Sequence, residues 1–203
     1  MKRIGKPLLF LVCLLPLLRL IWLAMTNGLG ANPIEFITRS TGTWTLVGLL
    51  LTLSVTPLRR LTAWNELMRY RRMLGLFAFF HACLHFTTYI WLDQFFDPAS
   101  IARDIVKRPF ITVGFAAFVL LLPLAFTSSR GMIRRLGRNW QRLHRLIYPI
   151  ALLGVLHYLW LVKRDVTQPL IYAAVLLVLL ALRLPWGVSM LAAVGGRFRQ
   201  GGG

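Results

Sequence analysis

Long apolar blocks dominate this chain, each close to the roughly 20 residues that cross a bilayer as a helix. Six can be marked, at about residues 8–25, 43–58, 73–92, 110–126, 143–162 and 170–185, the second being short. The pattern predicts an all-α integral membrane protein, a six-transmembrane-helix bundle. Residues 1–203 then form a single membrane domain, since no separate soluble domain fits around six spans.

Composition supports this. Hydrophobic residues make up 57% of the 203 and mean hydropathy is +0.66, more apolar than a soluble domain of this length. The formal net charge of +18 would point to nucleic acid in a soluble protein. Here the cations sort by connection. Lys2, Arg3 and Lys6 precede the first span. Arg59, Arg60, Arg69, Arg71 and Arg72 lie between the second and third. Arg130, Arg134, Arg135, Arg138 and Arg142 lie between the fourth and fifth, and Arg183, Arg197 and Arg199 follow toward the C-terminus. The other side mixes Arg39, Arg103, Lys107, Arg108, Lys163 and Arg164 with Glu35, Asp93, Asp97, Asp104 and Asp165. The positive-inside rule places both termini in the cytoplasm. The charge reads as topology plus contact with anionic membrane lipid, with no nucleic-acid partner. The first span is too long for a signal peptide and is followed by others. Cys13 and Cys83 fall inside spans as small apolar residues, and no C-x-x-C-H marks covalent haem attachment.

Against this apolar background four histidines stand out: His81, His85, His144 and His157. Ionisable groups inside membrane segments are costly and mark functional sites by default. His85 lies eight residues before Asp93, roughly 12 Å below the outer end of its span, and His157 lies six before Lys163, roughly 9 Å below its own. The two share a depth on different helices, as the axial ligands of one haem must. Competing readings are a two-histidine metal-ion site and structural histidines bonded to backbone carbonyls. His144, thirteen residues and about 20 Å from His157, belongs to an inner site. That site is incomplete, because the matching depth on the third span holds Arg71 and Arg72; a flavin, a quinone or a haem with an unusual second ligand all fit there. On an ideal helix His144 and His157 point about 140° apart, and Pro149 and Gly154 offer a kink that can realign them. His81, one turn before His85, is an alternative ligand, a hydrogen-bonding neighbour or a bundle-facing polar residue. Arg19, the one charge deep in the first span, either snorkels outward or meets a haem propionate. Thr88, Tyr89 and Tyr158 are candidates for orienting the imidazoles. Trp22, Trp44, Trp91, Trp160 and Trp186 read as interfacial anchors, and Trp140 as an anchor or a cover for the inner cofactor.

The histidines sit in extended motifs: RRMLGLFAFFHACLHFTTY around His85, LAFTSSRGMIRRLGRNWQRLHRLIYP around His144 and LHYLW around His157. NGLGANPIEFITRSTG after the first span and KRPFITVGF before the fourth complete a set that covers nearly the whole chain. In order and spacing the chain resembles the ferric-reductase-like transmembrane family, on its branch of haem-binding subunits of bacterial methionine-sulfoxide reductase systems. The resemblance implies haem b, with haem-linked histidines at His85, His144 and His157, and it implies FMN. His81 has no counterpart in the motif. Where related oxidases carry a second histidine on the third span this chain has Arg71. Arg71 and Arg72 then become candidate contacts for a flavin phosphate. The resemblance also implies a bacterial inner-membrane electron conduit. Quinone or a cytosolic flavin reductase would be the donor. An MsrP-like periplasmic molybdoenzyme, which holds the catalytic site for methionine sulfoxide, would be the acceptor. The alternative is a self-contained membrane haem reductase delivering electrons to ferric iron or oxygen at the outer face.

Overall fold

The computed structural model describes residues 5–184 and 187–190. Lys2, Arg3, Pro185, Trp186, Arg197 and Arg199, invoked above for topology, span limits and anchoring, lie outside the described residues. The described residues form α1 (Gly5–Met25), α2 (Pro33–Thr62), α3 (Met68–Thr88), α4 (Pro98–Lys107) and α5 (Pro109–Phe126). These are followed by α6 (Arg130–Leu136), α7 (Arg138–Leu143), α8 (Ile147–Leu161) and α9 (Thr167–Ala181). A π-turn, Tyr89–Asp93, prolongs α3, and a 3₁₀ turn, His144–Leu146, leads into α8. The protein is all-α among the described residues. Four helical stretches, Gly5–Met25, Pro33–Thr62, Asn65–Asp93 and Pro109–Phe126, are long and apolar enough to cross a membrane. Several helices of this length and apolarity support a multi-pass membrane protein. α8 and α9 have 15 residues each.

The second helix differs most from the hydropathy reading. It starts at Pro33, not near residue 43, and runs for 30 residues. Asn32 caps it: its side chain accepts from the Glu35 N–H at 3.3 Å and donates to the Glu35 carboxylate at 3.0 Å. Pro33 fits the first helical position, where no N–H is needed. Two of the hydroxyls that lower hydropathy in its first half fold back onto the helix. Thr41 donates to the Ile37 carbonyl at 2.9 Å and Thr45 to the Thr41 carbonyl at 2.9 Å. An internally satisfied hydroxyl is no obstacle to burial, so a polar-looking segment belongs to the bundle. Segments read as connections also hold short helices. Asp97 caps α4 by accepting from Ala99, and Ser129 caps α6 by accepting from Met132.

Two helix pairs build the core, α2 against α3 and α5 against α8, with α9 packed on α8 and α2. Leu53, Ala78 and Ala151 are completely buried where the pairs meet. α1 lies outside α2 and α3 and turns Leu11, Leu15, Leu18 and Trp22 outward, as a lipid-facing helix does. Small residues set the α2–α3 distance: a methyl group at Gly48 would stand 2.9 Å from the Ala78 Cβ and 3.0 Å from its Cα. Pro57, lacking an N–H, leaves the Leu53 carbonyl without its helical donor, and Arg183 fills the gap at 2.6 Å. The same guanidinium donates to the Tyr148 hydroxyl at 2.9 Å, tying the end of α9 to α2 and α8.

A side chain at Gly48 has backbone on its far side, so α2 and α3 must separate. Gly48→Leu is expected to cost about 1–3 kcal/mol and to lower the apparent melting temperature of detergent-purified protein by several degrees. Thermal unfolding beside Gly154→Ala, whose added methyl meets only a Leu46 methyl at 3.6 Å, checks this.

Candidate functional site

His85, on α3, and His157, on α8, face each other with ring centroids 6.1 Å apart and planes crossed at 74°. They close the sides of a cavity of about 320 Å³ between the two helix pairs. Leu46, Leu49, Phe118, Leu121 and Ile150 line one end of it. The polar residues of the lining, among them Thr38, Arg39, Tyr89, Asp93 and Arg108, come from the opposite end, at the start of α2, the turn after α3 and the start of α5.

Each ring is held the same way. His85 Nδ1 lies 2.9 Å from the Thr38 carbonyl oxygen, with the Thr41 hydroxyl at 3.4 Å. His157 Nδ1 lies 2.6 Å from the Phe110 carbonyl oxygen. A carbonyl can only accept, so each Nδ1 carries the hydrogen and donates, and each Nε2 keeps its lone pair. Burial among apolar side chains keeps both rings neutral, since an unpaired imidazolium there would be strongly penalised. A glycine one turn past each carbonyl makes room for the ring. A methyl at Gly42 would stand 3.0 Å from His85 Cε1, and one at Gly114 would stand 2.7 Å from His157 Nδ1. In both cases the histidine follows its carbonyl partner by 47 residues.

Two neutral imidazoles with free Nε2 atoms can ligate one metal centre between them. A metal–nitrogen bond of about 2 Å and about 1 Å from nitrogen to ring centroid, on each side, give about 6 Å between centroids, close to the separation found. Among the described residues no group of three or more His, Cys, Asp or Glu side chains gathers to hold a metal ion. A bare ion would therefore have two protein ligands, whereas an iron macrocycle brings four nitrogens of its own and needs only the axial pair. The apolar walls suit such a ring.

The other predicted residues separate from this pair. His144 opens the 3₁₀ turn before α8, so it and His157 do not share a continuous α-helix. Its Nε2 meets the Thr127 hydroxyl at 3.1 Å and its ring stacks on Trp140 at 4.0 Å, while the Trp140 N–H donates to the Thr127 carbonyl. Arg71 is near enough for its charge to act on His144. Buried His81 has its Nε2 3.3 Å from the Cys13 carbonyl, linking α3 to α1. Arg19 is exposed on α1 and does not line the cavity, and Arg72 lines a separate groove between α1 and α3. The Thr88 hydroxyl donates to the His85 carbonyl, not to its ring; Tyr89 and Tyr158 line the cavity without bonding either imidazole. The orienting groups are the main-chain carbonyls of Thr38 and Phe110. No residue type announces a carbonyl, but Gly42 and Gly114, inside two of the motifs quoted above, are legible traces of them.

Residues 37–155 match the ferric reductase like transmembrane component, and the chain belongs to that family. It is 60% identical over 184 residues to the protein-methionine-sulfoxide reductase heme-binding subunit MsrQ of Herminiimonas arsenicoxydans, covering 89% of this chain and 84% of the relative. It is 58% identical over 187 residues to the MsrQ of Ralstonia nicotianae, covering 91% and 86%, and 56% identical over 181 residues to that of Bordetella pertussis, covering 88% of each. No solved structure matches significantly.

Gly114→Ala should displace the His157 ring and weaken its bond to Phe110, and Gly42→Ala should disturb His85 less, in the order of the contact distances. Imidazole ¹⁵N spectra of the cofactor-free protein check this: the wild type should show both histidines protonated at Nδ1, and Gly114→Ala should change the His157 signals alone.

Proposed function

We propose that this protein is a haem b membrane electron-transfer subunit. It would pass electrons from quinone or a cytosolic flavin reductase to a periplasmic MsrP-like molybdoenzyme that repairs methionine sulfoxide in proteins. The observation that carries the reading is the facing pair His85 and His157, each free at Nε2 and held at Nδ1 by a carbonyl. The shared name of the relatives, a haem-binding subunit of a methionine-sulfoxide reductase, supports the assignment of haem and of the partner system.

A haem held there would supply one-electron chemistry. The protein's part is position. His85 and His157 would hold it, Thr38 and Phe110 fix their tautomers, and the leucine and phenylalanine walls exclude water. His144, with Trp140 stacked on it and Arg71 nearby, forms the inner site, the place this reading gives to FMN or another inner cofactor. Arg71 is the cation it offers to a flavin phosphate; Arg72, in the groove between α1 and α3, stands apart from it. In this reading six helices span the bacterial inner membrane, both termini are cytoplasmic, and the sulfoxide is reduced on the partner.

Detergent-purified protein from a haem-replete host should show haem b by pyridine haemochrome. Once reduced, it should be oxidised rapidly by purified MsrP and slowly by ferric chelates. Oxidation by ferric chelates or oxygen at rates matching MsrP would favour the self-contained reductase, and protein free of haem would end the electron-transfer reading.

A further inference from the structure

The cavity is electrically lopsided. Its inner wall is leucine, phenylalanine and isoleucine, and its outer mouth carries two guanidiniums, Arg39 from α2 and Arg108 from the α4–α5 junction, against one lining carboxylate, Asp93. Neither arginine is committed to a strong partner. Arg39 pairs with Glu35 at 2.7 Å one turn away on its own helix, and both side chains are exposed. Arg108 reaches Asp104 only at 3.4 Å, and Asp104 already accepts from the Gln94 side chain at 3.0 Å. The exposed Arg39–Glu35 pair is of a kind worth little and exchanges readily, and the long Arg108–Asp104 contact leaves the guanidinium itself exposed beside a mostly buried carboxylate.

Between these cations lies an unfinished polar surface. The Tyr89 hydroxyl lines the cavity and is shielded from solvent; its one acceptor is the Asp104 carboxylate, in poor hydrogen-bond geometry and shared with Gln94 and Arg108. The Thr38 hydroxyl, beside Arg39 in the same lining, is buried without a partner. Buried polar groups are normally bonded, and each exception asks for an explanation. One hydroxyl without a partner and a second poorly satisfied, flanked by two arginines at one end of an otherwise apolar cavity, match an occupant that is apolar over most of its body and anionic along one edge.

We propose that Arg39 and Arg108, with the Tyr89 and Thr38 hydroxyls, form the subsite for the carboxylates of the macrocycle held between His85 and His157, turning that edge toward the outer face. The subsite rests on the haem reading of the cavity. It takes the propionate role away from Arg19, which stands outside the cavity. A guanidinium meets a carboxylate through charge-assisted hydrogen bonds, and a hydroxyl donor completes the set. The subsite fixes which way round an otherwise nearly symmetrical ring sits, and it places positive charge beside the iron on the side facing the electron acceptor.

The test uses full-length protein expressed in a haem-limited host, purified in detergent and titrated with haemin or with haemin dimethyl ester. The ester keeps the macrocycle and iron and removes both carboxylate charges. Wild type should bind haemin about tenfold or more tighter than the ester. Arg39→Gln with Arg108→Gln should bind both alike, Arg108→Lys should keep part of the preference, and Tyr89→Phe should lose a few-fold. In haem-loaded protein the double variant should also show a lower midpoint potential and shifted propionate-bending bands in resonance Raman spectra. Equal wild-type affinity for haemin and ester overturns the subsite, as does a preference that survives the double variant. If wild type binds neither compound, the haem reading of the cavity falls and the subsite falls with it.

Discussion

The site depends on one interaction made twice: an imidazole Nδ1–H donated across a helix interface to a main-chain carbonyl. The bond does three things. It satisfies a polar group that would be costly to leave unpaired among apolar side chains. It fixes the tautomer, so that the nitrogen facing the cavity is the one with the lone pair. And it sets the direction of each ring, because a carbonyl within a helix is held by the helix itself. A side-chain partner would bring its own rotamers; a backbone partner brings none. Both rings are therefore preorganised by the same helices that form the core.

The two halves of the bundle answer each other. Thr38, Gly42 and His85 stand in the same order and spacing as Phe110, Gly114 and His157. In each half the first helix offers a carbonyl and a glycine and the second brings the histidine. Each glycine lets the ring lie against helix backbone, and each histidine reaches from its helix toward the shared cavity. Because α2–α3 and α5–α8 are also the main packing pairs, moving a ring means moving a core interface, which links site geometry to fold stability.

Much of this was legible in the sequence. The apolar blocks and the common depth of His85 and His157 follow from hydropathy and helix rise, and the structure brings those two rings together. Other features were hidden for identifiable reasons. The early start of α2 was masked by threonine hydroxyls that bond within their own helix. The ring partners were sought among Thr88, Tyr89 and Tyr158, close along the chain, whereas they come from helices 47 residues away and are backbone atoms. Arg39 and Arg108 read only as outer-face charge until the cavity placed them at its mouth. His144 and His157 were read on one continuous helix, whereas a 3₁₀ turn with no strong local signal sets His144 before α8.

The central claim is that a single iron is held between His85 and His157 with their planes steeply crossed. Low-temperature electron paramagnetic resonance of the ferric protein tests it most directly, on wild type beside His85→Ala, His157→Ala and His144→Ala. The account predicts a highly anisotropic low-spin signal, as crossed imidazole planes produce, in wild type and in His144→Ala. It predicts loss of that signal in His85→Ala and in His157→Ala. Survival of the signal after either of the latter two substitutions, or its loss with His144 alone, would contradict the account.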